Sequence, residues 1–456
     1  MSNNETSVKT QLPPSVTNNK INLIGLCGFL AGVAFLMSHP LTSSTVSILL
    51  LLFCWIFPIL ILETFFLPHV RQAIRPYHSR QLNLKNTFIR WIGLIMTLSV
   101  IGLAYWVFPE YHDQFYEPFW KFLTFCLPWF LALSFPYFLC LGDCIPPCDD
   151  PYYQIGLAAF GRKPRLTRSA LSQYALGWLI KAFFLPLMIA YFGASIQKIE
   201  EFNSVGLFNN FYTALLQLFH PSSIDTVTHS LSTSFAYVFN FSWDLIFLID
   251  LGIVCVGYLC TLRLFDAQIR SAEPTLLGWL VALCCYAPFN SMLSASYMGY
   301  DRNGYSWGVW LFPHDIIYVI WGTAILFLCL IYVYASITFG LRFSNLTHRG
   351  IITNGPYRYF KHPAYLSKNL SWWLVAIPFI SADANYFNII RNICMLLLLN
   401  FIYYLRAKTE ERHLSHDPVY QEYVQSIQTN GLFAKLKKKL SSLRGTLLRS
   451  NPLATK

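Results

Sequence analysis

Long apolar runs separated by short polar or basic connections dominate the chain. They cover residues 21–38, 44–66, 91–108, 118–141, 173–195, 232–262, 274–297, 313–341, 369–381 and 387–405. A helix needs about 20 apolar residues to cross the hydrocarbon core, and most of these runs reach or approach that length. The pattern predicts an all-α, polytopic integral membrane protein with about ten transmembrane helices. The run at 369–381 is short and holds Pro378, so it is expected to be a tilted or half-inserted arm of a hairpin.

Composition sharpens this picture. With 55% hydrophobic and only 12% charged residues, the chain belongs to the membrane class before any motif is considered. The formal charge of +11 would suggest nucleic acid in a soluble protein; here it reflects Lys and Arg on one side of the membrane and contact with anionic lipid. No nucleic-acid partner is expected. Cations occupy alternate connections: Arg71, Arg75, Arg80 and Lys85, then Arg162, Lys163, Arg165 and Arg168, then Arg263 and Arg270, then residues 342–368. The intervening connections carry Glu110, Asp113, Glu117, Glu200, Glu201 and Asp383. The positive-inside rule then places both termini, and the loop 342–368, in the cytoplasm.

Four regions follow. Residues 1–20 are polar, contain paired prolines and lack the features of a signal peptide, so a disordered cytoplasmic tail is expected. Residues 21–310 form an N-terminal membrane region of unknown role, bounded by the Gly/Tyr/Trp-rich loop from Tyr300 to Trp310. Residues 311–430 form a second membrane domain. In residues 431–456, Leu432, Leu436, Leu440, Leu443 and Leu447 recur at helical spacing among Lys435, Lys437, Lys438, Lys439, Arg444 and Arg449. That spacing suits a basic amphipathic helix on an anionic leaflet, with a solvated basic tail as the alternative because Gly445 and two serines weaken the helix.

Ionisable residues inside spans need partners. Lys181 is expected to pair with Asp244 or Asp250, whereas Glu63 sits near a span end. Cys140, Cys144 and Cys148, beside Asp143, Asp149 and Asp150, could share a helix face, but Pro146-Pro147 breaks it and no C-x-x-C pairing appears. An interfacial loop is expected there, and no metal site.

The densest chemistry lies in Gly355-Pro356-Tyr357-Arg358-Tyr359-Phe360-Lys361-His362-Pro363-Ala364-Tyr365. Each proline disfavours helix at the residue before it, and Pro363 suits the first position of a helix. His362 then stands at a helix mouth whose free N–H groups attract anions. A juxtamembrane turn with Tyr and Lys/Arg anchors is the simpler alternative. After one more apolar hairpin come Glu410-Glu411 and then Tyr420-Gln421-Glu422-Tyr423. Arg406 and Lys408, four and three residues before Glu410 and Glu411, would permit plain helix-surface ion pairs.

Together these two signals, over roughly residues 311–430, resemble the isoprenylcysteine carboxyl methyltransferase and phospholipid methyltransferase superfamily of integral membrane enzymes. Lys361 stands where that family usually has Arg, and Ser367-Lys368 where a small Gly is usual. The resemblance implies a methyltransferase-like helical hairpin, S-adenosyl-L-methionine as cofactor, and a lipid or prenylated acceptor. Such a donor presents an ammonium, a carboxylate, ribose hydroxyls and a sulfonium, which ask for acids, cations and aromatic faces. Expected catalytic residues are His362, Tyr365 and Arg358; expected cofactor contacts are Tyr357, Tyr359, Lys361, His362, Glu410 and Glu411. Two alternatives stay open: an NADPH-dependent sterol-type membrane reductase, and a transporter or lipid-binding protein with a degenerate methyltransferase-like domain.

Overall fold

The computed structural model describes residues 11–74, 82–142, 145–202, 224–291 and 298–449, with isolated positions between 203 and 223. Residues 1–10 of the expected tail, Arg75, Arg80, Asp143 and Cys144 lie outside the described residues, as do the side chains from 442 onward.

The apolar runs become α1 (Asn19–Ser38), α2 (Ser44–Phe66), α4 (Leu84–Val107), α5 (Glu117–Leu141), α7 (Arg168–Glu200), α8 (Ile224–Leu259), α11 (Asp315–Ile337) and α13 (Tyr386–Leu414). Among the described residues these eight are long and apolar enough to cross a membrane. Their outer faces carry exposed Phe53, Phe65, Trp106, Leu133 and Phe327, the apolar surface that lipid covers. Shorter helices join them: α3 (Pro68–Ile74), α6 (Pro151–Ala159), α9 (Leu276–Leu283), α10 (Trp307–Leu311), α12 (Pro363–Ala376), α14 (Pro418–Asn430) and α15 (Leu432–Arg449).

Two expected spans are thus not long helices. Within the run at 274–297, α9 stops after eight residues and the chain turns over 284–290, and the run at 369–381 ends α12 at Ala376, with Ile377 left-handed at φ 41° just before Pro378. α12 has 14 residues and so rises only about 21 Å. Two small pairings mark the levels these elements connect. Strand β1 (Ser271–Ala272), before α9, pairs antiparallel with β2 (Thr347–His348), after α11. Gly304, after α9, bridges to Ser381, after α12.

Buried cations tie the N-terminal helices to the segment after α11. Arg342 donates to both oxygens of Glu63 in α2, at 2.8 and 3.0 Å, and to Phe265 O at 3.0 Å. Arg349 donates to the carbonyls of Gly257, Cys260, Ala267 and Phe343, capping the end of α8. Farther out, Arg90 of α4 meets Asp150 at 2.5 Å, and Asp150 also caps α6 through Tyr152 N. This is possible because Gly93 and Gly156 let the backbones of α4 and α6 touch: a Cβ on Gly93 would lie 1.9 Å from Tyr152 O.

The expected pair of Lys181 with Asp244 or Asp250 does not form. Lys181 reaches Thr261 Oγ1 at 3.4 Å and covers the Trp178 ring at 3.8 Å, whereas Asp250 accepts the Tyr332 hydroxyl at 2.6 Å. A hydroxyl and an aromatic face serve the ammonium, and a phenol serves the carboxylate. The chain before α1 also differs from the expected loose tail: Val16 N bonds Ile351 O at 3.2 Å, Thr17 Oγ1 bonds Thr338 O at 2.8 Å, and Thr353 Oγ1 bonds Pro13 O at 2.7 Å.

Candidate functional site

The motif begins with a tight turn. Gly355 has φ +54°, and a Cβ there would meet Thr338 Oγ1 at 2.7 Å, so a side chain is excluded twice over. A 3-10 turn, Gly355–Arg358, follows and carries the chain to His362, which takes the cap position of α12 ahead of Pro363. Tyr357 is buried against Phe339. Its carbonyl accepts the Tyr423 hydroxyl at 2.8 Å, and the same hydroxyl reaches Phe360 O at 3.1 Å. The second tyrosine of the Tyr-x-x-Tyr segment thus pins the motif backbone.

α13 brings the acidic pair back to this mouth. Glu411 accepts Lys361 at 2.6 Å, Lys408 at 2.9 Å and His362 Nε2 at 3.1 Å. Glu410 accepts the Tyr365 hydroxyl, while its other oxygen faces His362 Nδ1 at 3.8 Å. The His362 and Tyr365 rings are stacked, 5.6 Å apart and 5° from parallel.

Behind these groups lies a cavity of about 190 Å³, far more than the roughly 10–15 Å³ that admits one water. Tyr286, Tyr332, Tyr357, Tyr365, Tyr403 and Phe339 give it aromatic walls. Arg406 is central: it donates to Asn345 Oδ1 at 2.7 Å and lies 5.2 Å from the Tyr365 ring centre and 5.5 Å from that of Tyr286. Asn345 is held in turn by the hydrogen bond that its Nδ2 donates to the Tyr258 hydroxyl oxygen at 2.9 Å. Among the buried polar atoms of the lining residues, the hydroxyls Thr347 Oγ1 and Tyr420 Oη have no protein partner. Burial and the nearby Glu411 and Glu410 push the Tyr420 phenol up, so it stays protonated. Burial pulls the His348 imidazole down, with the Asp417 carboxylate, 3.2 Å from Nε2, opposing.

Of the expected residues, the structure gathers Tyr357, Lys361, His362, Tyr365, Glu410 and Glu411 around one mouth. It leaves Arg358 and Tyr359 exposed on the outer side of the turn and off the cavity wall, because the 3-10 turn rotates them away from Tyr357. The surface pairing foreseen for Lys408 and Glu411 forms, but Arg406 is buried among tyrosines, 3.8 Å from Glu410. Glu273, Cys285 and Tyr286 line the cavity from outside the expected domain. Glu273 accepts His413 Nδ1 at 3.1 Å and Arg412 at 3.2 Å, fixing the end of α13. Only the rarity of a buried-looking glutamate between apolar runs could have pointed to it.

Residues 315–416 match the model of the isoprenylcysteine carboxyl methyltransferase (ICMT) family. The match opens at the first residue of α11 and closes just past α13, so the C-terminal part of this multi-pass membrane protein carries an ICMT-like domain. No curated protein and no solved structure matches the chain.

Proposed function

We propose that the protein is an integral membrane methyltransferase that uses S-adenosyl-L-methionine and acts on a lipid-like or prenylated acceptor. One observation carries this reading: α13 returns Glu410 and Glu411 to His362 and Tyr365 at the mouth of an aromatic cavity, inside the segment that matches the family.

The residues present fit such a donor. Glu411 is already held by three donors and serves to orient Lys361 and His362. Glu410 keeps an oxygen without a close partner and is the carboxylate suited to an ammonium. Lys361 and the α12 mouth suit a carboxylate, Thr347 Oγ1 and Tyr420 Oη suit hydroxyls, and the tyrosine faces suit a sulfonium. When bound, S-adenosyl-L-methionine supplies an electrophilic methyl for in-line transfer. The protein's own task is alignment and exclusion of water, which buried Tyr357, Tyr403 and Arg406 perform by closing the inner wall. An acceptor carboxylate would need no base, whereas an amine would first have to lose a proton.

Calorimetric titration of S-adenosyl-L-methionine, its homocysteine product and NADPH into detergent-solubilised protein tests this. Saturable binding of the first two is expected. A well-folded protein that binds neither, or that binds NADPH instead, overturns the proposal.

A further inference from the structure

Three carbonyls of the motif turn are held from the C-terminal side. Tyr423 of α14 takes Tyr357 O and Phe360 O. Between them, Tyr359 O accepts Leu432 N at 3.2 Å, at the first residue of α15, and the Phe433 ring stands edge-on to Phe360 at 5.4 Å between centres. Two residues beyond Phe360, His362 makes its bond to Glu411. The start of α15 is therefore a direct neighbour of the mouth.

α15 itself leaves its apolar row uncovered. Phe433, Leu436 and Leu440 are 67%, 47% and 65% exposed, at positions that fall on one side of a helix. Lys435, Lys437, Lys438 and Lys439 surround that row with no acidic residue between 432 and 449. An apolar row flanked by a one-signed cluster fits a surface that is apolar beneath and anionic above. A membrane protein already stands in such a surface.

We propose that α15 is a docking helix for anionic lipid headgroups of the membrane that the other helices cross, and that its docking steadies the turn 355–362 through the Leu432 and Phe433 contacts. The proposal rests on the methyltransferase reading only in giving that turn a catalytic meaning; the docking and its mechanical effect stand without a methyl donor. A cation close to an anionic leaflet gains about fivefold in partition. Four of them, with the apolar row, make the helix sensitive to leaflet charge, and salt screens the electrostatic share over about 10 Å at 0.1 M.

Hydrogen exchange read by mass spectrometry separates the parts without any donor. The full chain is placed in nanodiscs of phosphatidylcholine alone and of phosphatidylcholine mixed with phosphatidylglycerol. Exchange across 432–441 is expected to slow about tenfold or more in the anionic discs, and exchange across 355–362 to slow with it. Replacing Lys435, Lys437, Lys438 and Lys439 together by Gln should erase both differences. Phe433→Ser should keep the first and weaken the second. Equal exchange of 432–441 in the two discs overturns the docking. Slowing confined to 432–441 overturns the coupling to the turn.

Discussion

Two carboxylate clusters in this molecule invite comparison. Arg342 Nη1 meets both oxygens of Glu63, with the Glu63 and Arg342 side chains 0% and 1% exposed. Glu410 and Glu411 meet Tyr365, His362, Lys361 and Lys408 with side chains 32% and 19% exposed. In the first, the main partner is a single arginine and the pair is sealed between α2 and the turn after α11. In the second, several donors share two carboxylates at the open mouth of a cavity. A sealed pair can only hold the fold, because neither charge can be offered to anything else. An open cluster with spare acceptor capacity can exchange one of its own partners for a ligand.

Breaking the sealed pair should have the largest effect. Arg342→Met strands a buried carboxylate and is expected to cost about 3–5 kcal/mol of stability, whereas Arg342→Met with Glu63→Gln should recover much of it. Thermal unfolding in detergent gives both values, and equal losses in the single and double variants would contradict the pair's isolation. The open cluster should respond in binding. Glu410→Gln is expected to weaken S-adenosyl-L-methionine by about 1.5–3 kcal/mol with the unfolding midpoint little moved, whereas Glu411→Gln, which releases Lys361, Lys408 and His362, should weaken it less and lower the midpoint. Undiminished affinity in both variants would refute the assignment.

A smaller effect is expected from pH. Burial holds the His348 imidazole below its ordinary 6.5, so the unfolded chain binds a proton that the folded one resists. The stability this group contributes is intact above the unfolded value and is lost as pH falls from there through the folded value, no more steeply than about 1.4 kcal/mol per pH unit. Melting followed from about pH 7.5 to 5.5 should therefore show a shallower decline in His348→Gln than in the wild type. Identical slopes would remove His348 from the account. The smallest effect belongs to the outer side of the turn. Arg358→Ala and Tyr359→Phe should change stability and donor affinity by less than about 0.5 kcal/mol, as surface positions do. A tenfold loss of affinity in either would return them to the site.

Much of this organisation was legible along the chain. Hydropathy located the eight long helices because burial in lipid imposes a local, contiguous requirement. Pro363 marked the start of α12, and the return of Glu410 and Glu411 to His362 followed from hairpin geometry. What could not be read depends on pairing across long separations. Glu63 and Arg342 lie 279 residues apart, and no local pattern distinguishes an arginine bound for that partner from a headgroup anchor. Arg406 shows the same limit at short range. Its spacing from Glu410 suits a surface pair, but α13 turns that face toward Tyr286, which comes from an element far earlier in the chain. The side on which Arg358 and Tyr359 emerge depended on a 3-10 turn that proline and glycine signals suggest without setting its rotation.

Because Glu273, Cys285 and Tyr286 close the cavity from outside residues 315–416, the family-like segment is not a transferable cassette. Grafted alone onto another membrane scaffold, it would carry Arg349 away from the carbonyls of Gly257, Cys260 and Ala267. It would likewise leave His413 without Glu273. Any chimaera meant to exchange acceptor preference between such proteins must move the end of α8, β1 and α9 together with the motif.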